Sequence, residues 1–569
     1  LFVREFRLTG VADHPAEGVT VADLEGMAEN MRREHLGLAD VDDNGFTAEE
    51  RRRISDFMRR LIDDPDDAAL RAELETLVEG LRSERIRREA GMTIGQIQEV
   101  AAAITERYRR AGFILAQAFI PAQEVDDGVV TIEVFEGKLG NVRIEGNEMY
   151  SDDILARPFD DLIDAPVQAG AIESAILTAS DYPGVRVFGV FQPGTEVGET
   201  DLIVRVQDER RFYAGVRLDN YGTRYTGQDR FFVDVAVNNL TGAGDRLYGA
   251  YLNQFNPTNG RFWLVEYERP IWQPGMSIGV SAQDNPFDVG SDLEQLGLSG
   301  QSQIFQVFLR RSLLRSRQEN VWSSLTWRRS IATTSQDSID LFEDDLSVLE
   351  LEFDFDSIDS RARGINLGVI GFTFGLGDLL GGHGDDEART QTPPPSRQGG
   401  SGQFASNDFY KVYGGYSRLQ KLGEEVSLLV RTDGQWTKSL LTSLEQFSIG
   451  GPTSVRAYPV AEALTDIGVF GSLELTINAP GFAQVPAFQG FTWGQLLRVS
   501  FFTDFAWGAL NDPDPSEEDS ASFAGYGAGI SFGIPGRLQG RLQYATPFGS
   551  QRPSDGDTSH WWFDLTYQF

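Results

Sequence analysis

The sequence predicts two small α+β modules followed by a transmembrane antiparallel β-barrel of about 16 strands. Up to about residue 210, apolar residues at helical spacing alternate with short strand patterns, and after that only period-two runs recur. The chain contains 61 Gly, 38 Phe, 16 Tyr and 9 Trp, a composition typical of barrels with aromatic girdles. No stretch of about 18 apolar residues provides a transmembrane helix, which leaves strands as the means of crossing a membrane.

The charge and the polar residues exclude several classes of protein. The formal net charge of -35 argues against a nucleic-acid partner, because phosphate binding needs a basic face. No two of the four His lie at metal-ligand spacing, and the sequence has neither a phosphate-binding loop nor a nucleophile elbow. We therefore predict that the protein is not an enzyme. The chain starts at Leu1 without Met or a secretory signal, and we interpret it as mature or trimmed.

The first module is predicted for residues 1–137, with a charged helical insertion at about 38–90. Apolar stripes within the insertion indicate two amphipathic helices packed as a hairpin. Outside it, the predicted elements are a strand at 1–10, helices capped by Thr20 and by Thr93, and strands Phe113–Ile120 and Val129–Phe135.

An acidic segment inside the insertion resembles the start of a calcium-binding loop. Asp40, Asp42 and Asn44 supply oxygens at the first, third and fifth positions, but the acidic residue expected at position twelve comes one residue early, at Glu50. One interpretation is a shortened Ca²⁺ site. The other is an acidic turn before a helix, with Glu50 forming a capping box with Thr47.

The second module is predicted for residues 138–210 and repeats the order of the first. Its elements are a strand at Val142–Glu145, helices near Asp152–Leu155 and Ala169–Ala179, and strands near Val185–Phe191 and Asp201–Gln207.

The barrel is predicted for residues 211–569, where apolar and polar residues alternate in runs of about 8 to 10. A soluble β-sandwich or propeller would show the same alternation, with loops of similar length at both ends. Here the connections differ in length, and the longest, about Leu379–Ser406, is rich in Pro, Gly, Ser and Gln. We predict that this connection is a mobile surface loop.

The stretch Phe447–Pro459 reads F-S-I-G-G-P-T-S-V-R-A-Y-P, with Arg456 as its one charge. We interpret it as part of a loop, about 447–468, that folds back inside the barrel. Alternation along the strand from Leu497 places Asp504 in the lumen, where it can pair with Arg456. The alternative is a solvated Arg456, with Asp504 merely lining the channel. The other residues predicted to face the lumen are Glu474, Arg498 and Arg541.

Three blocks of residues carry a resemblance to one family. Residues 105–137, with Y-x-x-x-G-F, I-P-x-Q and V-x-E-G pieces, resemble the first POTRA module of two-partner-secretion transporters of the TpsB type, the haemolysin and filamentous-haemagglutinin exporters. L-D-N-Y-G-T-R-Y-T-G (218–227) with N-N-L-T-G-A-G-D (238–245) is similar to the start of that family's barrel. The Arg456 stretch and T-D-F-A-W-G (503–508) resemble the family's lid loop, V-R-G-F or V-R-G-Y, and its D-x-G strand.

The chain departs from the family pattern at several places. Ala457 stands where the lid motif has Gly, and Ala506 where the strand motif has Gly. The helical insertion is longer than the family's first module usually has. The family's N-terminal plug helix has no counterpart in these residues. We interpret this to mean either that the helix has been removed or that it is dispensable here.

The resemblance implies an outer-membrane pore of a Gram-negative bacterium, with POTRA modules in the periplasm that recognise an unfolded partner exoprotein of the TpsA type. The pore would pass this cargo to the cell surface without nucleotide hydrolysis. It would act as a monomer surrounded by outer-membrane lipids, with periplasmic chaperones as further candidate partners. No cofactor is expected, apart from Ca²⁺ if the acidic segment binds it. Within the same superfamily, an insertase that assembles other barrels is the alternative, and a porin-like channel would not need two periplasmic modules. The implied lid-loop residues are Gly450, Gly451, Val455, Arg456, Ala457 and Tyr458, with Asp504 as their partner, and the implied cargo-binding edge strands carry Phe113, Leu115, Val185, Val187 and Phe191.

Overall fold

The computed structural model describes residues 1–38, 46–63, 73–74, 76–81, 91–196 and 198–569. The chain forms two compact units. The first comprises Leu1–Glu145, Ala156–Ile176 and Phe188–Arg205, and the second Gly146–Leu155, Leu177–Val187 and Val206–Phe569. Within the described ranges, no helix combines the length and the apolar character needed to cross a bilayer.

The N-terminal sheet has three strands in the order β1-β3-β2, with β1 parallel to β3 and β2 antiparallel to it. One face packs against helices through a core that includes Tyr108, Ile104 and Ile132. The elements are β1 (Glu5–Thr9), α1 (Val21–His35), α2 (Ala48–Asp63), α3 (Ile94–Arg110), β2 (Gln117–Phe119) and β3 (Val129–Phe135), with a short 3₁₀ helix at Pro15–Glu17.

The predicted helix caps are confirmed. Thr20 accepts a hydrogen bond from the backbone N–H of Asp23 at the start of α1, and Thr93 forms a full capping box with Gln96 at the start of α3. At the start of α2, Thr47 Oγ1 accepts from the N–H of Glu50 at 3.1 Å, and Glu50 Oε2 accepts from the N–H of Thr47 at 2.6 Å. These side chains satisfy N–H groups that have no partner within the helix.

The predicted strand Phe113–Ile120 is wrong over its first half, because only Gln117–Phe119 forms β2. Gly112 leaves α3 with a φ of 97°, and the chain then turns instead of extending. The turn carries Phe113 into the core, where its side chain is 2% exposed and its ring meets Tyr108 edge-on.

The second sheet has the order β4-β6-β5, which repeats the first-third-second order of the N-terminal sheet. β4 runs parallel to β6, as β1 does to β3. The predicted architectural repeat is therefore present in the topology. Its elements are β4 (Lys138–Glu145), α4 (Asp152–Ala156), a 3₁₀ helix (Arg157–Leu162), α5 (Ala169–Ser180), β5 (Val185–Pro193) and β6 (Glu199–Asp208).

Sixteen antiparallel strands close into a barrel, as predicted, and the last strand pairs with the first. The strands in chain order are β7 (Phe212–Asp219), β8 (Asp229–Asn238), β9 (Arg246–Phe255), β10 (Arg261–Pro270), β11 (Met276–Asp288), β12 (Leu298–Arg315), β13 (Glu319–Gln336), β14 (Ile339–Asp359), β15 (Gly364–Gly375), β16 (Tyr410–Lys421), β17 (Val426–Trp436), β18 (Phe447–Ile449), β19 (Ala463–Thr465), β20 (Ile467–Asn478), β21 (Leu497–Ala509), β22 (Ser520–Ile534), β23 (Leu538–Pro547) and β24 (His560–Gln568), of which β18 and β19 form a separate hairpin. Short helices lie in the connections: 3₁₀ turns at Ser291–Leu296 and Leu379–Gly381, α6 (Asp385–Ala388) and α7 (Trp493–Leu496).

Alternating side chains point outward and into the lumen along each strand. On β21, Phe505 is exposed on the outer face while its neighbour Asp504 is buried on the inner face. The ladder places Asp504 opposite Ser472 on β20, so both side chains face inward. This alternation puts apolar residues against lipid and polar residues inside, as the sequence predicts.

The segment 376–409, which includes the predicted mobile loop, is folded against the barrel. We call it the external segment. Asn407 is buried and donates to the backbone oxygens of Ser347 and Gly377 at 2.9 and 2.7 Å, and Arg397 donates to Asp466 at 2.6 Å. The sequence predicts a mobile surface loop at about Leu379–Ser406, and its composition gives no sign of these hydrogen bonds, which attach the segment to the barrel.

Candidate functional site

The candidate site is a loop that enters the barrel between β18 and β19. Gly450 and Gly451 lie at its base with φ of 102° and 88°, a region that side chains disfavour. A Cβ on Gly450 would lie 2.2 Å from the backbone oxygen of Pro459. The N–H of Gly451 donates to the oxygen of Tyr458 at 3.0 Å, which closes the loop. We call residues 450–462 the lid.

Arg456 lies at the tip of the lid and binds Asp504 with both ends of its guanidinium. Nε and Nη2 donate to the two carboxylate oxygens at 2.8 Å each, and the backbone N–H of Arg456 donates to Oδ2 at 3.1 Å. Arg456 is 6% exposed and Asp504 1% exposed. A bidentate charge-assisted pair fixes both position and orientation, so it holds the tip in one place.

Arg456 also donates to two further residues. Nη1 donates to Glu474 at 2.6 Å, and Nη2 donates to the hydroxyl of Ser472 at 3.1 Å. Ser472 in turn donates to Asp504 at 2.7 Å, and the guanidinium carbon lies 3.3 Å from the ring centre of Phe502. One buried cation therefore meets two carboxylates and an aromatic face, which compensates for the loss of water around it.

Apolar contacts complete the seat of the lid. Val455, Ala457 and Tyr458 are fully buried, and the Tyr458 ring meets Phe523 edge-on at 5.1 Å. Ala457 lies against Gly525 on β22 so closely that a Cβ on that glycine would come 2.3 Å from the Ala457 methyl. The Ala in place of the family's Gly at 457 is thus accommodated by a glycine across the contact.

The last barrel strand and its preceding loop also hold the lid, which the sequence did not lead us to predict. Trp562 Nε1 donates to the backbone oxygen of Arg456 at 2.7 Å. The Tyr458 hydroxyl donates to the oxygen of Gln551 at 3.1 Å, and Ser554 donates to Glu462. The signal for Trp562 was its position: it is a large aromatic on the otherwise polar, lumen-facing side of β24.

Of the other predicted lumen residues, Glu474 belongs to the lid site and two do not. Arg541 lies one strand from the seam, where it donates to Asp564 at 2.8 Å and to the Tyr221 hydroxyl at 3.0 Å. Arg498 is exposed and sits opposite Asn478, six residues along β21 from Asp504, about 20 Å in an extended strand.

The predicted cargo-binding edges need correction at the level of side chains. Phe113 is a core residue, and Leu115 precedes β2, so neither lies on an edge strand. Val185 and Val187 do lie on an edge strand, β5, but their side chains are buried, and Phe191 is half-buried. The exposed large apolar side chains of β5 are Phe188 and Val190, at 50% and 41%.

Two of the four edge strands of the N-terminal and second sheets, β2 and β5, have a backbone group bound by a helix hydroxyl. On β2, the N–H of Ala118 donates to Thr105 Oγ1 at 2.8 Å. On β5, the N–H of Val187 donates to Ser180 Oγ at 3.1 Å. A strand added to either edge therefore finds one position already occupied.

The predicted Ca²⁺ ligands Asp40, Asp42 and Asn44 lie outside the described residues. Glu50 is described and serves the cap of α2, as the alternative interpretation has it. In the part of the chain that the structure describes, one group of three residues could hold a metal ion. It consists of Asp555, Asp557 and His560, whose ligand atoms lie within 4.8 Å of one another.

Comparisons with known proteins place this architecture. Residues 198–532 match the family of haemolysin secretion/activation proteins ShlB/FhaC/HecB, and residues 82–137 match the ShlB-type POTRA domain. The heme/hemopexin transporter protein HuxB of Haemophilus influenzae (strain 86-028NP) is 25% identical over 492 residues, covering 84% of this chain and 82% of that protein. The outer membrane transporter CdiB of Escherichia coli O6:K15:H31 (strain 536 / UPEC) is 24% identical over 386 residues, covering 64% of this chain and 60% of that protein.

Solved structures show the same fold. CdiB from Escherichia coli superposes with a TM-score of 0.67 at 19% identity, covering 84% of this chain and 85% of that structure. CdiB from Acinetobacter baumannii gives a TM-score of 0.64 at 15% identity, covering 100% of this chain and 90% of that structure.

Proposed function

The chain belongs to the haemolysin secretion/activation family ShlB/FhaC/HecB and is a two-partner-secretion transporter of the outer membrane, and we propose that it exports its partner by moving the lid out of the lumen. The POTRA modules lie in the periplasm. The ShlB-type POTRA match favours export over the alternative of barrel assembly.

The observation that carries the proposal is the buried contact of Arg456 with Asp504. The lid occupies lumen space that a passing chain needs. The hydrogen bonds between the Arg456 guanidinium and Asp504 hold the lid there, and they can break and form again without any covalent change. A hydrogen bond to a charged group contributes about 1.5–3 kcal/mol. Because displacement of the lid exposes Arg456 and Asp504 to water together, neither is left as an unpaired buried charge.

The cargo is proposed to be an unfolded secreted exoprotein that first adds a strand to a POTRA sheet. Backbone pairing suits this step because it depends little on sequence, and β5 is an edge strand. The backbone N–H of Glu209 donates to the backbone oxygen of Gly184, and the backbone N–H of Gly194 donates to that of Glu199. The even-numbered residues of β5 therefore direct their backbone groups toward β6, and the odd-numbered ones direct them away. The N–H of Phe191 therefore points away from β6, on the open edge of β5, four residues after Val187, whose N–H is bound by Ser180. Without nucleotide, folding of the cargo outside the cell supplies direction.

The test is secretion of a partner exoprotein encoded beside this chain, in a host without exporters of its own. We expect the partner in the medium only when the chain is present, and a drop of at least about tenfold with Arg456→Ala. Arg418→Ala is the matched control, since Arg418 pairs with Asp359 and Asn366 and does not touch the lid. Undiminished secretion by a folded Arg456→Ala variant contradicts the role of the lid.

A further inference from the structure

The seam between the first and last strands is the shortest ladder of the barrel. β7 and β24 pair over five residues, from Gly215 to Asp219 against Asp564 to Gln568, whereas each of the other barrel ladders pairs eight or more. Short ladders open more readily, because fewer hydrogen bonds must break together.

Asn220 extends this ladder with its side chain where the backbone of β7 turns away. Its backbone N–H donates to the oxygen of Phe563 at 3.3 Å, and its Oδ1 accepts from the N–H of Phe563 at 2.8 Å. Its Nδ2 donates to the oxygen of Trp561 at 2.7 Å. One buried side chain thus satisfies two backbone groups of β24 that would otherwise lack a strand partner.

The next residue continues the closure on the lumen side. The Tyr221 hydroxyl donates to Asp564 at 2.5 Å and accepts from Arg541 at 3.0 Å. The Tyr221 ring also meets Trp562 edge-on, with ring centres 6.2 Å apart. Asn220 and Tyr221, the two residues after β7, therefore contact four consecutive residues of β24, Trp561 to Asp564.

Trp562 connects this closure to the lid. Its indole N–H donates to the backbone oxygen of Arg456, while its ring packs against Tyr221. Departure of the lid removes the acceptor of the Trp562 indole N–H and opens the buried ring to the water of the lumen. The indole then has reason to move, and Tyr221 loses its packing surface.

We propose that Asn220 is a positioning residue that locks the barrel seam, and that Trp562 couples this lock to the lid. In the resting protein the lid holds Trp562, Trp562 supports Tyr221, and the seam stays closed beside Asn220. When the lid moves, the seam loosens at its lid-facing end, which gives the lumen room to widen. The inference rests on the proposed function only in taking the lid as the part that moves.

Hydrogen exchange in the full chain, reconstituted in lipid nanodiscs without cargo, tests the lock. The amide of Phe563 is the direct reporter, because Asn220 is its acceptor. We expect Asn220→Ala to accelerate its exchange at least about tenfold while exchange in β12–β14 stays unchanged. Asn366→Ala, which removes a side-chain bond to Ser357 elsewhere in the barrel, is the matched control and leaves Phe563 unchanged. Unaltered exchange at Phe563 in Asn220→Ala overturns the lock.

A double-mutant cycle tests the coupling. Trp562→Phe keeps an aromatic ring beside Tyr221 and removes the indole donor together with one of the two fused rings, so the cycle measures the loss of both. We expect Arg456→Ala and Trp562→Phe each to accelerate exchange at Phe563 severalfold, and the double variant to match the larger single effect. Additive effects overturn the coupling. Secretion measured on the same variants reports the export function separately, so a failed lock and a failed export function give different results.

Discussion

The methyl group of Ala457 lies in contact distance of the backbone of Gly525, and a Cβ added to that glycine would come within 2.3 Å of it. The contact joins the tip of the lid to the inner face of β22. Neither residue can gain volume without displacing the other. The pair therefore offers a way to move the lid without touching its charges.

We predict that Gly525→Ala displaces the lid and raises the conductance of the pore in planar bilayers. The added methyl overlaps Ala457, and an overpacked contact of this kind costs about 1–3 kcal/mol. Gly533→Ala on the same strand is the control, because its nearest neighbour, the oxygen of Leu538, would lie 3.4 Å from the new Cβ. Equal conductance of the two variants contradicts the prediction.

The two carboxylates around Arg456 should differ in importance. Asp504 takes three hydrogen bonds from Arg456 and Glu474 takes one, so Asp504→Asn should raise the frequency of lid opening more than Glu474→Gln. We expect about tenfold for the first and a few-fold for the second, from bonds of about 1–3 kcal/mol. Single-channel recordings measure the opening frequency, and the reverse order would refute the assignment of Asp504 as the main partner.

The ion pair of Arg397 and Asp466 should fasten the external segment. Asp466 is fully buried and also accepts from the N–H groups of Leu441 and Asn511, so Arg397→Ala leaves it without a cationic partner among the residues that the structure describes. We predict faster proteolysis between residues 379 and 406 in intact cells. Arg389→Ala, at an exposed position in the same segment, serves as the control and should be cleaved at the native rate.

The pH dependence of the external face should follow Glu445. Burial raises the pKa of its carboxyl, but Arg328 and Lys411 at 2.7 and 2.8 Å outweigh burial and hold the pKa below its ordinary value. A lowered pKa in the folded state adds stability that is present above the unfolded pKa and is lost as pH falls through the folded one. Exchange of nearby amides in the native chain should therefore accelerate as the solution is acidified below the ordinary pKa of a glutamate.

The control for this pH effect is Glu445→Gln, in which exchange near the external face should be fast at neutral pH and nearly independent of acidification. Glu424→Gln changes an exposed carboxyl in a periplasmic turn and should keep the native profile. A native profile in Glu445→Gln would rule out this carboxyl as the titrating group.

Removal of an outward N–H from β5 should weaken cargo binding. Phe191→Pro deletes the N–H that faces away from β6 and leaves the β5–β6 ladder intact, since proline is tolerated on edge strands. Loss of one backbone hydrogen bond of about 1 kcal/mol predicts a roughly fivefold weaker affinity of the full chain for an unfolded segment of its partner. Val190→Ala, which shortens a side chain and keeps the backbone, is the comparison, and an equal loss would assign binding to side chains.

Alternation with period two, together with connections of unequal length, predicted the barrel, because every strand of a barrel faces lipid on one side and the lumen on the other. The same alternation placed Asp504 inside, within reach of Arg456. Three features could not be read this way. The sequence around Phe113 resembles a strand, but the chain turns after Gly112 and places the Phe113 side chain in the core. Trp562 acts through a lid more than a hundred residues away in sequence. The external segment is ordered by Arg397 and Asn407, whose partners are distant in the chain.

The hydroxyl groups of Thr105 and Ser180 have a consequence for the protein between rounds of export. An unpaired edge strand is a template on which copies of the same protein, or other misfolded proteins, assemble into aggregates. The edge strands β2 and β5 each have one amide bound to a helix of their own module. One hydrogen bond to a hydroxyl is weak enough for an incoming strand to displace. It also interrupts the row of unpaired amides, which protects these two edges from aggregation between rounds of export.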